Sequence, residues 1–204
     1  MSEIALALLS VTDKTGLTEL ASWLVDREVK LLSTGGTATA LRAGGFQSEE
    51  VGDFTGAGEL LDGRVKTLHP KVHAGILHRR DSADHLAQMA QRGWPGVDLV
   101  VVNLYPFETV SERPEASFQE IVDNIDIGGP CLLRAAAKNH EHVAVLCDPV
   151  DYGAFMAECE RAGGLSRNFR RLLAYKAFSR AADYDQAISA WLGRVVNGLA
   201  HVLR

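Results

Sequence analysis

Cysteine is scarce in this chain of 204 residues, with Cys131, Cys147 and Cys159 the whole supply. They form no Cys-x-x-Cys pair and no even set, which argues against a disulfide-stapled scaffold and points to a reducing, cytoplasmic setting. Cys131 is either a nucleophile or a small core thiol, and packing is the ordinary role of such a residue. Also missing is any apolar run long enough to span a membrane. The opening IALALLSV lacks the basic flank and cleavage signature of a secretory leader and reads as a strand. Positive charge is in deficit, since 21 Lys and Arg face 26 Asp and Glu for a net charge of −5. That balance argues against a general affinity for polyanions such as nucleic acid. There is no Walker loop, Gly-x-Gly-x-x-Gly fingerprint, internal repeat or Pro/Ser-rich linker.

What is present is an alternation. Ile4–Val11, Val29–Leu32, Leu99–Val102 and Val143–Cys147 are short, almost continuous apolar runs, as strands covered on both faces require. Between them, Leu17, Leu20, Ala21 and Leu24 recur at helical spacing, and helices are expected up to Leu41, over Ser82–Arg92, Phe118–Ile125 and Cys131–Asn139. From Val150 onward the pattern is helical, with a break at Gly163-Gly164. Strands alternating with helices predict an α/β fold with a mostly parallel central sheet between helices, and a helical C-terminal segment packed on the core. Residues 1–204 are expected to form one domain.

Against the acidic background, Gly63–Arg80 (GRVKTLHPKVHAGILHRR) holds five Lys or Arg and three His with no Asp or Glu, which marks one local site. Two polar turns follow predicted strands: Ser10-Val-Thr-Asp-Lys-Thr-Gly16 and Ser33-Thr-Gly-Gly-Thr37. In open α/β sheets ligands bind beyond the carboxyl ends of the strands, and N–H groups at helix starts attract anions. Two such turns on one sheet edge, with Arg64, Lys66 and Thr67 available, predict a phosphorylated ligand. His69 and His73 have metal-ligand spacing, but Pro70 disfavours helical geometry at His69 and no carboxylate is near, so no metal is expected. Asp126, before Gly-Gly-Pro, is placed either to cap the next helix or to accept a proton. Lys138 sits where a cation favours a helix C-terminus, and Tyr105 ends a buried strand.

Together SVTDKTG, STGGT, GRVKTLHPKVHAGIL, NLYPF and IDIGG with LLRAAAKNH resemble the IMP cyclohydrolase domain of the bifunctional AICAR transformylase/IMP cyclohydrolase family. DYDQAISAWL resembles the close of that domain. The resemblance implies a methylglyoxal synthase-like fold. It also implies that Thr12, Asp13 and Lys14 bind a purine nucleotide, with Ser10 beside them. Thr34, Gly35, Gly36 and Thr37 would form a second contact, Arg64, Val65, Lys66 and Thr67 a third, and Val102 with Asn103 a fourth. Asp126, Ile127 and Gly128 would line the base end. Lys66, Tyr105, Asp126 and Lys138 are the implied catalytic groups.

The implied reaction closes the ring of 5-formamidoimidazole-4-carboxamide ribotide to IMP with loss of water, and needs no cofactor because both reacting groups belong to one molecule. Lys66 is expected to stabilise oxyanion charge, Asp126 and Lys138 to relay protons, and Tyr105 to position them. The resemblance implies a homodimer. The family's formyl-transferring half is expected to be absent beyond Arg204, leaving a transformylase domain or partner to supply substrate. A methylglyoxal synthase-type lyase and a non-catalytic nucleotide sensor are the alternatives. The motifs from GRVKTLHP onward speak against the first, and the four catalytic-type residues against the second.

Overall fold

The computed structural model describes residues 4–162 and 164–202. In chain order these form β1 (Leu6–Ser10), α1 (Leu17–Val25), β2 (Lys30–Ser33), α2 (Gly35–Ala43), β3 (Glu49–Glu50), α3 (Val51–Thr55), α4 (Pro70–Leu77) and α5 (Ala83–Arg92). Then come β4 (Leu99–Val102), α6 (Phe107–Ser111), α7 (Phe118–Asp123), α8 (Gly128–Lys138) and β5 (Ala144–Leu146). A single 3₁₀ turn (Pro149–Asp151) leads into α9 (Tyr152–Ala162) and the long α10 (Arg167–Val202). The expected break falls between α9 and α10, with Gly163 outside the described residues.

The five strands pair in the order β3-β2-β1-β4-β5, every pair parallel. Leu32, Leu8, Val100 and Val145 lie side by side across the middle of the sheet, all essentially without exposure. Such rows explain the unbroken apolar runs: a parallel strand buried on both faces has no solvent side on which to alternate. The expected α/β architecture is therefore the one observed. β3 is the exception, because two glutamates at a sheet edge carry no apolar signal.

At the amino ends of the strands a buried ion pair fastens the sheet. The Asp98 carboxylate accepts from the Ala5 and Leu6 N–H groups (2.9 and 3.0 Å) and from Arg80 (2.7 Å). Arg80 also donates to the Val97 and His142 carbonyls, both at 2.9 Å. Breaking such a pair on one side typically destabilises by about 3–5 kcal/mol.

α10 buries Leu173, Ala174, Ala177, Ala181, Tyr184 and Trp191, a stripe at three- and four-residue spacing, against α8, β5 and α6. α8, which it packs against, also buries small residues, Ala135, Ala136 and Ala137. The C-terminal segment is thus part of the core.

Candidate functional site

The strand order reverses direction at β1, which has β2 on one side and β4 on the other, and ligands of open α/β sheets bind at such a point. A cavity of about 610 Å³ opens there, beyond the carboxyl ends of β1, β2 and β4. One wall is the turn after β1. Its backbone is held by Asn103, whose Oδ1 accepts from the Thr12 and Asp13 N–H groups and whose Nδ2 donates to the Asp13 carbonyl (2.9 Å). Asp13 turns inward to accept from the Thr15 N–H (2.9 Å), and hydrogen bonding from Thr15 holds its carboxyl below the ordinary range. Lys14 donates to the Val11 and Thr12 carbonyls, and burial lowers its pKa against the opposing charge of Asp13.

The start of α2 forms the second wall. Ser10 and Thr34 share a hydroxyl hydrogen bond of 2.9 Å across the two strand ends. Thr37 is buried and works inside, accepting from the Val11 N–H (2.9 Å) and donating to the Val11 carbonyl (3.1 Å). The Lys66 ammonium lies beside Gly35, within van der Waals reach of where a Cβ would stand. Lys66 pairs there with Glu59, and Arg64, across the cavity mouth, pairs with Asp123. The segment between them reverses tightly: Leu61, Asp62 and Gly63 all have positive φ, and Leu60 bridges to Val65. Free N–H groups at the start of α2, with Lys14, Lys66 and Arg64 around them, make an anion seat.

The opposite end is built on the entry to α8. The Asp126 carboxylate accepts from the Gly129 N–H (2.8 Å), so it does cap the helix. It is nonetheless half-buried, and desolvation raises its pKa, against lowering by the N–H groups of Gly129, Tyr105 and Gly128. A carboxyl held above its ordinary range and open to a cavity is suited to carrying a proton. Both glycines are required by close approach: a Cβ on Gly129 would stand 2.4 Å from Asp126 Oδ2, and one on Gly128 2.7 Å from Thr67 Oγ1. Ile127 and Tyr105 are exposed at the mouth.

Of the residues expected to form the site, the cavity is lined by Ser10, Thr12, Lys14, Thr34, Gly36, Arg64, Lys66, Thr67, Asn103, Tyr105, Asp126, Ile127 and Gly128. Asp13, Gly35, Thr37, Val65 and Val102 lie just behind, in the turns that shape it. Lys138 is different. It is exposed at the far end of α8, an eleven-residue helix that starts beside Asp126. At about 1.5 Å per residue α8 carries Lys138 roughly 15 Å along its axis from Gly128, and Lys138 is not among the residues lining this cavity. The basic run also divides: only Arg64 and Lys66 reach the cavity. Lys71 donates to the Phe54 carbonyl, Arg79 pairs with Asp81 and Arg80 with Asp98, so the other cations fasten the fold.

His69 is extended, as Pro70 after it requires, and it caps α4 by accepting from the Lys71 N–H (3.1 Å), while Pro70 occupies the first turn, where its missing N–H is harmless. Cys131 is half-buried on α8, and Cys147 and Cys159 are pushed up to about 11 by burial, the pattern of packed thiols. Residues not foreseen include the cavity-lining Asp62, Leu68 and Val122–Ile125, and Glu59 and Tyr184 outside the lining. A buried tyrosine in DYDQAISAWL was the available signal, because a buried phenol needs a polar partner.

A family model described as an MGS-like domain matches residues 16–131, more than half of the chain. The chain belongs to the MGS-like family. A second model, described as the AICARFT/IMPCHase bienzyme, continues over residues 136–202. The bifunctional purine biosynthesis protein PurH of Acidithiobacillus ferrooxidans is 52% identical over 193 residues, covering 94% of this chain and 37% of that protein. PurH of Cereibacter sphaeroides is 53% identical over 187 residues, covering 91% and 35%. The chain is thus homologous to the N-terminal part of PurH and spans little more than a third of the length of these relatives. Among solved structures, the crystal structure of ForH superposes with a TM-score of 0.80 at 36% identity, covering 94% of this chain and all of that one. The first model takes in the cavity walls from Gly16 to Cys131, and the second takes in β5, α9 and α10.

Proposed function

We propose that this chain is an IMP cyclohydrolase, closing the ring of 5-formamidoimidazole-4-carboxamide ribotide to give IMP and water in purine biosynthesis. The observation that carries the reading is the polarity of one cavity: an anion seat at one end and a half-buried carboxyl of raised pKa at the other, in a homologue of the PurH N-terminal part. The phosphate would occupy the seat formed by the start of α2, Lys14 and Arg64, fixing the reactive imidazole substituents near Asp126.

The carboxamide nitrogen attacks the formyl carbon, forming a C–N bond and converting the formyl C=O to a hydroxyl. Asp126 takes the proton that leaves this nitrogen and delivers one to the oxygen, so that the hydroxyl departs as water while the former formamide nitrogen gives up its proton. Lys66 and the N–H groups entering α8 stabilise negative charge on that oxygen. Tyr105 is the hydrogen-bonding group beside them. Lys138 stands outside this cavity, so the relay within one chain is written through Asp126. Homodimerisation, a cytoplasmic setting and a transformylase that supplies the formamido ribotide belong to the same proposal.

The test is to supply purified protein with the formamido ribotide and follow the purine chromophore. Ring closure without added folate or metal is expected. A folded protein that binds IMP but leaves the formamido ribotide unchanged would overturn the reading in favour of a nucleotide-sensing domain.

A further inference from the structure

The carboxyl at the heart of the site is steadied from far along the chain. The Asp126 N–H donates to the phenol oxygen of Tyr184 (2.8 Å), 58 residues later on α10, and the same hydroxyl donates to the Asn124 carbonyl (3.4 Å). Both hydrogen-bonding capacities of one phenol thus serve a single turn, the one that aims Asp126 into the cavity. Its ring, wholly buried, meets Phe107 edge-on with centroids 6.1 Å apart, and Phe107 lies two residues beyond Tyr105. Tyr184 therefore links the two loops that carry Asp126 and Tyr105. It does not line the cavity, so it does not touch substrate. Burial pushes its phenol up to about 12, which keeps the hydroxyl neutral and confines it to holding rather than exchanging protons.

We propose that Tyr184 is a positioning residue for ring closure, its phenol holding the Asn124–Asp126 turn so that the Asp126 carboxyl keeps its seat against Gly128 and Gly129. The proposal rests on the cyclohydrolase reading for its activity arm. It also gives the segment matched by the bienzyme model a task behind a cavity whose lining residues all precede that segment. The charged and titratable groups around the turn are Arg64, Lys66, Tyr105 and Asp123 along the cavity, and Glu108 and Arg180, which act on Tyr184 beneath it.

The test compares Tyr184→Phe, which keeps the ring and removes the hydroxyl, with Trp191→Leu. Trp191 packs on Phe107 and Phe118 in the same core but gives the turn no hydrogen bond. In Tyr184→Phe, kcat for ring closure is expected to fall about tenfold with KM within about twofold, the size of one lost hydrogen bond. The acidic limb of the kcat profile should move to lower pH, because a loosened turn hydrates the Asp126 carboxyl. Trp191→Leu should lower thermal stability and leave that limb in place. Equal limb shifts in both variants, or no change in Tyr184→Phe, would overturn the proposal.

Two further readouts do not depend on catalysis. The Asp126 carboxyl, titrated by carbon NMR, should shift downward in Tyr184→Phe, and an unshifted titration counts against positioning. The Asp126 amide of the unaltered chain should be protected from hydrogen exchange, and free exchange there overturns the proposal even if Tyr184→Phe fails to fold. Absence of ring closure in the unaltered protein would refute the cyclohydrolase reading alone, leaving these two measurements to decide the role of Tyr184.

Discussion

Adding one methyl group at Gly129 should separate the site from the fold. The residue lies in the first turn of α8, where alanine is ordinarily favoured over glycine by about 1 kcal/mol. Here the added Cβ would stand 2.4 Å from Asp126 Oδ2 and 2.7 Å from Leu104 Cδ2, distances that carbon does not tolerate. Either the helix shifts, at an overpacking cost of about 1–3 kcal/mol, or the carboxylate swings out and forfeits its charge-assisted bond to the Gly129 N–H, worth about 1.5–3 kcal/mol. Propensity offsets only part of this, leaving a net loss of about 0.5–2 kcal/mol, or a few degrees in Tm for a chain of this size. The effect on catalysis should be larger, since either route displaces the group assigned to proton transfer, with kcat lower by about 10²–10⁴-fold. Gly153→Ala is the control: it lies in α9 with nothing within 4 Å of its Cβ, so there the propensity gain should appear undiminished. Urea midpoints and purine formation would be measured for both variants. A Gly129→Ala protein that is stabilised like Gly153→Ala and retains full kcat would refute the reasoning.

Lys14→Ala should act on binding, raising KM by one to two orders of magnitude with kcat little changed, if its charged contact is worth about 1.5–3 kcal/mol; steady-state kinetics decide, and a fall in kcat alone would remove Lys14 from the anion seat. Asp126→Asn should abolish most activity yet stabilise the fold at neutral pH. The sign follows from burial: the folded pKa of Asp126 lies above its unfolded value, so the folded state binds the extra proton between the two and loses stability as pH rises through that window. The stability difference between variant and parent should therefore shrink as pH is lowered below the ordinary carboxylate value, which melting curves at several pH values would check. Because α8 separates Asp126 from Lys138, the kcat effects of Asp126→Ala and Lys138→Ala should multiply within about 0.5 kcal/mol in a double-mutant cycle; strong coupling would require the second group to come from another copy of the chain.

Most of the fold was legible because burial writes itself into composition. Leu6–Leu9 and Leu99–Val102 can be nothing but interior strands, and the order of strands and helices then leaves few topologies. β3 escaped because its pairing is made by backbone alone. The anion end of the cavity was legible for a related reason: its turns sit directly after strands, so sequence neighbours are also spatial neighbours. Charge was a poorer guide. Arg64 and Arg80 belong to one basic run, yet one faces the cavity and the other a buried aspartate at the opposite end of the sheet, since a helix of eight residues intervenes. Lys138 lies outside the cavity of its own chain for the same cause, since the helix that opens after Asp126 carries it to the opposite end. Tyr184 offered a phenol in need of a partner, but that partner is a backbone N–H far earlier in the chain, which no local pattern encodes.

β1, which precedes the other described strands in the chain, is also the central strand of the sheet, and this orders the pairing events at birth. β1 can pair with β2 within some 25 residues, but its other edge stays open until β4 has been synthesised, about 90 residues later. The turn bearing Asp126 is completed later in the chain, since its phenol tether is 58 residues downstream. On a ribosome the chain must therefore carry an exposed Leu-rich edge from β1 until β4 emerges, a period of risk from intermolecular strand pairing. That turn is fastened only when α10 docks and closes it from behind.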